Sequence, residues 1–136
     1  MVQVTHSVTL QAPVDDVWGV ISGFNDLPNW HPVIERSELA GEGVGAVRTL
    51  TLAGGGEVVE RLTEETGNSY SYIIVTSPLP VANYKSTISV EASGDGCKVN
   101  WEGNFDADGV DDAEAAEIVS GVYMGGLTSL QETFGT

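Results

Sequence analysis

Hydrophobic and polar residues alternate over the first ten positions of the chain. One set is Val2, Val4, His6, Val8 and Leu10, and the polar residues Gln3, Thr5, Ser7 and Thr9 lie between them. A period of two residues predicts a strand over 2–10 with one buried face. His6 shares that face with valines and is therefore interpreted as a core or edge residue.

The period of the hydrophobic positions changes after Pro13. Apolar residues now recur at Val14, Val17, Trp18 and Ile21. This spacing predicts an amphipathic helix of about three turns that has Pro13 at its first position and ends at Gly23. The next stretch, "DLPNWHPVI" (26–34), contains two prolines, so it is predicted to be a kinked connector with one helical turn at 25–29.

Short alternating segments follow, separated by turns rich in glycine and proline. Strands are predicted at 34–40, 45–52, 57–64, 69–77, 84–92 and 97–106. Because the connections are short, these strands should form an antiparallel meander. Helical spacing returns over 111–134, with an apolar stripe at Ala115, Val119, Val122, Tyr123, Leu127, Leu130 and Phe134.

The order of elements predicts an α+β fold in one domain spanning residues 1–136. About 22 helical residues at about 1.5 Å each give a C-terminal rod of about 33 Å, which is long enough to cross a whole sheet. A curved seven-stranded antiparallel sheet with one apolar face would wrap around that helix. The short N-terminal helix follows the first strand.

Several segments of the sequence resemble those of the SRPBCC group, the START/Bet v 1-like helix-grip proteins. They are "APVDDVWGVISGF" (12–24), "LPNWHPVI" (27–34), "GAVRTLTL" (45–52), "VVERL" (58–62), "YSYIIVTSPLPVANYKSTISV" (70–90) and "WEGNF" (101–105). Within the group the chain is similar to bacterial polyketide cyclase/dehydrase-type proteins. The resemblance implies a deep apolar cavity between the sheet and the long helix. Its members include carriers of lipids, hormones and quinones as well as cyclases.

Charge excludes some classes of partner. Twenty acidic and five basic residues give a formal net charge of −15. Such a surface repels phosphate backbones and anionic membranes, so we expect no nucleic-acid partner. The acidity is explained either by solubility, as in a saline cytoplasm, or by a basic protein partner. No apolar run reaches the roughly 18 residues of a membrane span, and we expect no membrane insertion.

Cysteine and metal-ligand residues are sparse. The single cysteine, Cys97, excludes an internal disulfide and a multi-cysteine metal site. No second histidine, no cysteine and no nearby carboxylate forms a metal-binding set with His31, so we expect no metal and no cofactor. The N-terminus lacks a basic segment followed by an apolar one, which together with the cysteine count favours a cytoplasmic protein, as a monomer or weak homodimer.

Two charged residues are predicted to face inward across a hairpin. Even-numbered positions of 45–62 are mostly apolar, and a turn at 53–55 would place Arg48 opposite Glu60. Lone charges on an inner face are costly, so the two should pair. They are either a structural ion pair or a polar anchor for a ligand's carboxylate or carbonyl.

Six further residues complete the predicted ligand-binding set. Trp30 in the connector, with Pro78 and Pro80 in the second rim segment "SPLPVA" (77–82), would form an apolar mouth, and His31 would lie at its lip. Trp30 should accordingly be partly exposed. The other members of the set are the strand residues Tyr72 and Trp101 and the helix residue Tyr123.

Glycines interrupt the terminal helix at Gly121, Gly125 and Gly126. Each costs about 0.5–1 kcal/mol relative to alanine. Close packing of the helix on the sheet would explain them, and so would volume left for a ligand.

These features support three functions. The first is a binding or carrier protein for a small hydrophobic or aromatic ligand with one or two oxygens. The alternative is a cofactor-independent cyclase, dehydratase or isomerase, with His31, Arg48 and Glu60 as catalytic candidates: Arg48 would polarise a carbonyl while His31 or Glu60 moves the proton. The third is a protein-interaction module using the acidic surface.

Overall fold

The computed structural model describes residues 1–135, which form a curved antiparallel sheet and two helices. The strands are β1 (Val2–Leu10), β2 (Ile34–Ala40), β3 (Val47–Leu52), β4 (Glu57–Glu65), β5 (Ser69–Thr76), β6 (Val81–Ser93) and β7 (Gly96–Ala107). The helices are α1 (Val14–Ile21) and α2 (Asp112–Phe134), with a 3-10 turn at Leu27–Asn29. Among residues 1–135, no helix is both long and apolar enough to cross a membrane.

The sheet follows the order β1-β7-β6-β5-β4-β3-β2, and every pair of neighbours is antiparallel. Strands β2 to β7 are therefore a meander, and β1 joins it at the far edge. The α+β helix-grip fold with seven strands, a short N-terminal helix and a long C-terminal helix is confirmed. Strand β6 begins at Val81, before the predicted 84, because Val81 and Ala82 pair with the end of β7 ahead of a register shift.

Helix α2 is fixed at both ends by specific hydrogen bonds. Asp111 caps its first turn by accepting a hydrogen bond from the Glu114 backbone N–H at 2.8 Å, which satisfies one of the donors that every helix start leaves free. At the other end the Gln11 backbone N–H donates to the Phe134 carbonyl at 3.0 Å. The helix therefore lies across the concave face beside β1 and β7, and the space between it and β3–β6 is left to the cavity.

Candidate functional site

A largely apolar cavity of about 200 Å³ lies between the concave face of the sheet and α2. Its walls are formed by Leu27, His31, Val33, Ile34, Leu50, Leu52, Val58, Glu60, Tyr72, Ile74, Leu79, Tyr84, Trp101, Val119 and Val122. An engineered apolar cavity of about 150 Å³ in another protein binds benzene. The cavity therefore has room for a small aromatic molecule.

Four of the eight predicted binding residues line this cavity: His31, Glu60, Tyr72 and Trp101. The other four, Trp30, Arg48, Pro78 and Tyr123, are not part of its walls.

Trp30 is buried rather than exposed, so the expected partial exposure is wrong. Only 5% of its surface is accessible, and its ring lies against Trp101 with 5.6 Å between centroids. The 3-10 turn before it directs the indole into the space beneath α2, where a mouth residue would not lie. Its Nε1–H has no hydrogen-bond partner within residues 1–135.

Pro78 is exposed, and the next residue of the rim segment, Leu79, takes the place at the cavity that was expected for the proline. Tyr123 stacks behind Trp101, with 4.6 Å between ring centroids and 14° between planes. Its hydroxyl lies over Gly103, where a Cβ would come within 2.1 Å of it. Tyr123 thus supports a wall residue from outside the cavity.

Arg48 and Glu60 form the predicted cross-strand pair. They are register partners on β3 and β4, and Arg48 Nε donates to Glu60 Oε1 at 2.8 Å while Nη2 lies 2.7 Å from the same oxygen. Arg48 Nη1 donates to the Phe24 carbonyl at 2.6 Å, and the guanidinium carbon lies 4.0 Å from the Phe24 ring centroid. The pair is confirmed, and the arginine is enclosed by aromatic rings with no accessible surface.

The two charges of this pair face different surroundings. Glu60 keeps a small accessible area and lines the cavity, whereas Arg48 does neither. Burial raises the pKa of the Glu60 carboxyl, and the adjacent Arg48 opposes that rise. Because a protonated Glu60 would leave a buried guanidinium without a countercharge, the pair is ionised at neutral pH. The cavity therefore meets the negative partner and not the positive one.

A hydrogen-bonded chain runs behind and beside the cavity through four strand and helix residues. Ser86 Oγ donates to the Glu102 carbonyl at 2.9 Å, so its oxygen accepts from Trp101 Nε1 at 3.1 Å and from the Tyr123 hydroxyl at 2.9 Å. With its proton committed to Ser86, Tyr123 accepts from the hydroxyl of Tyr84. The direction of every proton in this chain is thus fixed by Ser86.

The Tyr72 hydroxyl differs from that of Tyr84 in its hydrogen bonding. Its oxygen accepts from Trp101 Nε1 at 3.1 Å, and that N–H is shared with Ser86 Oγ. The neighbouring Ser86 oxygen already accepts from Trp101 and Tyr123. Burial, followed by the nearby charge of Glu60, raises the pKa of Tyr72 well above its ordinary value, so the proton is retained at neutral pH. Tyr72, a lining residue of the cavity, therefore keeps a proton that it can donate, whereas Tyr84 gives its proton to Tyr123.

His31 links the connector to α2. Its Nδ1 accepts from the Val33 backbone N–H at 3.2 Å, so Nε2 carries the proton and donates it to the Val122 carbonyl at 2.7 Å. Burial lowers the pKa of His31, which keeps the ring neutral. Both nitrogens are occupied by backbone groups, so neither is available to take a proton from a ligand.

Of the three helix glycines, one is required by close packing. A Cβ on Gly126 would lie 2.8 Å from His31 Cδ2 and 2.9 Å from ring carbons of both Trp30 and Trp101. At Gly125 the nearest atom is His31 Cε1 at 3.4 Å, and at Gly121, which is exposed, nothing lies within 4 Å. Gly125 and Gly126 therefore give room to connector side chains, and none of the three glycines lines the cavity.

Sequence reasoning missed most of the apolar wall and one polar residue, Tyr84. The signal for Tyr84 was present, because it alternates with Ser86, Ile88 and Val90 on the inner face of β6. Its neighbour Tyr72 lies 6.2 Å away between ring centroids. On α2 the lining residues are Val119 and Val122. Both belong to the predicted apolar stripe and precede Tyr123 in the chain.

Comparison with known proteins identifies the family to which this fold belongs. A family model described as "Polyketide cyclase / dehydrase and lipid transport" matches residues 1–135. The structure of the protein XoxI from Bacillus cereus is 38% identical, covers 98% of this chain and 96% of its own, and has a TM-score of 0.91. None of the curated proteins compared with the chain matches it significantly.

More distant structures share the fold. The Zhui aromatase/cyclase from Streptomyces sp. R1128 is 19% identical, with 96% of this chain and 92% of its own covered and a TM-score of 0.78. A START superfamily protein from Mycobacterium smegmatis is 11% identical, with 98% and 97% covered and a TM-score of 0.83. The match over residues 1–135 shows that the chain belongs to the polyketide cyclase/dehydrase and lipid transport family.

Proposed function

We propose that the protein binds or carries a small hydrophobic or aromatic molecule with an oxygen substituent, held between the sheet and α2. The observation that supports this most directly is a cavity of about 200 Å³ whose walls are almost entirely apolar and include the polar residues Glu60, Tyr72 and Tyr84. Such a combination is typical of small-molecule sites, in which apolar contact supplies affinity and a few polar groups fix orientation.

A matched pair of variants on β4 tests this function. Val58 lines the cavity, while its neighbour Val59 lies on the opposite face of the same strand. Val58→Phe should fill the cavity and weaken binding of 2-methylnaphthalene at least tenfold, whereas Val59→Phe should leave it unchanged. Methyl NMR titration measures both. No binding of the probe by the wild type, or equal binding by the two variants, would refute the proposed function.

A cofactor-independent cyclase, dehydratase or isomerase remains the second candidate, and it is favoured by one observation. Glu60 and Tyr72 both line the largely apolar cavity, where a carboxylate base and a hydroxyl donor could act on one molecule. Of the three catalytic candidates only Glu60 keeps this role, because Arg48 is enclosed and His31 has no free nitrogen. A catalyst would lose about 10²–10⁴ in turnover without its base.

We also propose a cytoplasmic protein that acts as a monomer or weak homodimer without a nucleic-acid partner. The charge of −15 supports the last point, since it opposes binding to a phosphate backbone. Electrophoretic mobility shift with mixed DNA and RNA tests the absence of a nucleic-acid partner, and sedimentation velocity tests the oligomeric state.

A further inference from the structure

The polar part of the cavity is made by three residues on neighbouring strands: Glu60 on β4, Tyr72 on β5 and Tyr84 on β6. Glu60 is the register partner of Ile74, and Tyr72 is the partner of Leu62, so Glu60 and Tyr72 are diagonal neighbours on the inner face. Side chains of this length reach across such a diagonal. A ligand oxygen beside Tyr72 is therefore also close to Glu60.

These three residues present a definite pattern of donors and acceptors. Both Arg48 contacts go to Glu60 Oε1, and within residues 1–135 Oε2 has no hydrogen-bond partner. Tyr84 has given its proton to Tyr123. Among the side chains that line the cavity, Glu60 Oε2 and the Tyr84 oxygen therefore have lone pairs left to accept a hydrogen bond, and the Tyr72 hydroxyl has a proton to donate.

The Arg48 guanidinium, which could bind an anion, is not accessible from the cavity. Arg48 has no accessible surface, and its guanidinium lies 5.0 Å from the Tyr72 ring centroid and 4.0 Å from that of Phe24. A carboxylate in the cavity would meet Glu60 without the arginine. Like charges placed together in a desolvated site cost several kcal/mol, which corresponds to at least about 100-fold in affinity.

We infer that the cavity takes neutral molecules that carry a hydroxyl, such as phenols and apolar alcohols, and excludes carboxylates such as fatty acids. This inference rests on the binding function proposed above. A hydroxyl can donate to Glu60 Oε2 and at the same time accept from Tyr72. The role sketched from the sequence for Arg48, as the anchor for a ligand's carboxylate, is replaced by Glu60 as the acceptor for a ligand's hydroxyl.

Three bicyclic probes of similar shape test the inference: 2-naphthol, 2-methoxynaphthalene and 2-naphthoate. The naphthol donates and accepts, the methyl ether only accepts, and the naphthoate is an anion. We expect naphthol to bind about 10- to 100-fold more tightly than the ether, because the ether leaves a buried carboxylate oxygen unpaired. We expect naphthoate to bind at least about 100-fold more weakly than naphthol.

Variants assign each preference to its residue. Tyr72→Phe should weaken naphthol by about 2- to 10-fold more than it weakens 2-methylnaphthalene. Tyr70→Phe is the matched control, since Tyr70 is equally buried but is not in the cavity wall. Glu60→Gln should lower the naphthol-over-naphthoate ratio at least tenfold, because the anion no longer faces a carboxylate.

A double variant keeps the test decisive if Glu60→Gln does not fold. Arg48→Met with Glu60→Met removes one charge of each sign, so the net charge stays at −15 and the long-range repulsion of anions is unchanged. Apolar replacement of a buried ion pair is usually tolerated. In this variant the preference for naphthol over 2-methoxynaphthalene should disappear.

The outcomes separate the inference from the function on which it rests. The expected order of the three probes, with its loss in the variants, supports the inference. Binding of naphthoate or of the ether as tightly as naphthol overturns it, while binding of 2-methylnaphthalene leaves the cavity function standing. Failure of all four probes to bind refutes both.

Discussion

Alanine at two glycines of α2 should change stability in opposite directions. Gly121 is exposed and a Cβ there meets nothing within 4 Å, whereas a Cβ at Gly126 lies 2.8–2.9 Å from three aromatic rings. In the interior of a helix, alanine is favoured over glycine by about 0.5–1 kcal/mol. Gly121→Ala should therefore stabilise the protein by about that amount.

At Gly126 the same gain is outweighed by overpacking. The contacted rings have little freedom to withdraw, because His31 is held by hydrogen bonds to two backbone groups and the two tryptophans pack on each other. Overpacking of a well-packed core costs about 1–3 kcal/mol. Since the helix-propensity gain is common to both variants, the difference between their unfolding free energies reports the overpacking alone, about 1–3 kcal/mol.

Urea denaturation of the wild type and the two variants measures this difference directly, from the midpoints at an unchanged m-value. Gly125→Ala should lie between the two, because its nearest contact is 3.4 Å. If Gly126→Ala stabilises the protein as much as Gly121→Ala does, the close packing of α2 on the connector is wrong.

Three further predictions follow from the buried groups. Glu60→Gln should destabilise the protein by about 3–5 kcal/mol by leaving Arg48 without its countercharge, whereas methionine at both positions should cost far less; an equal loss in the two variants contradicts the pair's assigned role. The lowered pKa of His31 should make the wild type lose stability relative to His31→Gln as pH falls below about 6.5, because the unfolded ring takes up a proton that the folded ring refuses. The slope of that difference is at most about 1.4 kcal/mol per pH unit, and parallel pH curves for the two proteins would refute it. In variants that keep one tryptophan each, 2-methylnaphthalene should change the emission of Trp101 more than that of Trp30, since only Trp101 lines the cavity; the reverse order would contradict the assignment of the cavity wall.

Strand periodicity and turn length were sufficient to predict the fold and one feature of the site. The hairpin after β3 sets the register, and the register places Arg48 opposite Glu60. The two-residue alternation of the strands also predicted that Tyr72 and Trp101 lie on the inner face. These are properties of the local backbone, so a sequence pattern can report them.

Sequence patterns could not predict whether a side chain on the inner face lines the cavity or packs behind its wall. Arg48 is hidden because Phe24, more than twenty residues away in the chain, covers its guanidinium and accepts one of its hydrogen bonds. Trp30 is buried because a single 3-10 turn redirects the connector beneath α2. On α2 the phase of the helix decides that Val122 faces the cavity while the adjacent Tyr123 stacks behind Trp101. All three depend on packing between distant segments, which composition and spacing do not encode.

The position of a bound molecule tests the central claim most directly. In isotope-edited NMR of the protein with 2-naphthol, we predict nuclear Overhauser contacts from the naphthol ring to the methyl groups of Leu50, Val58 and Val119, which come from both walls of the cavity. Contacts confined to the surface groove beside Pro32, Met124 and Ser129 would contradict a binding site between the sheet and α2.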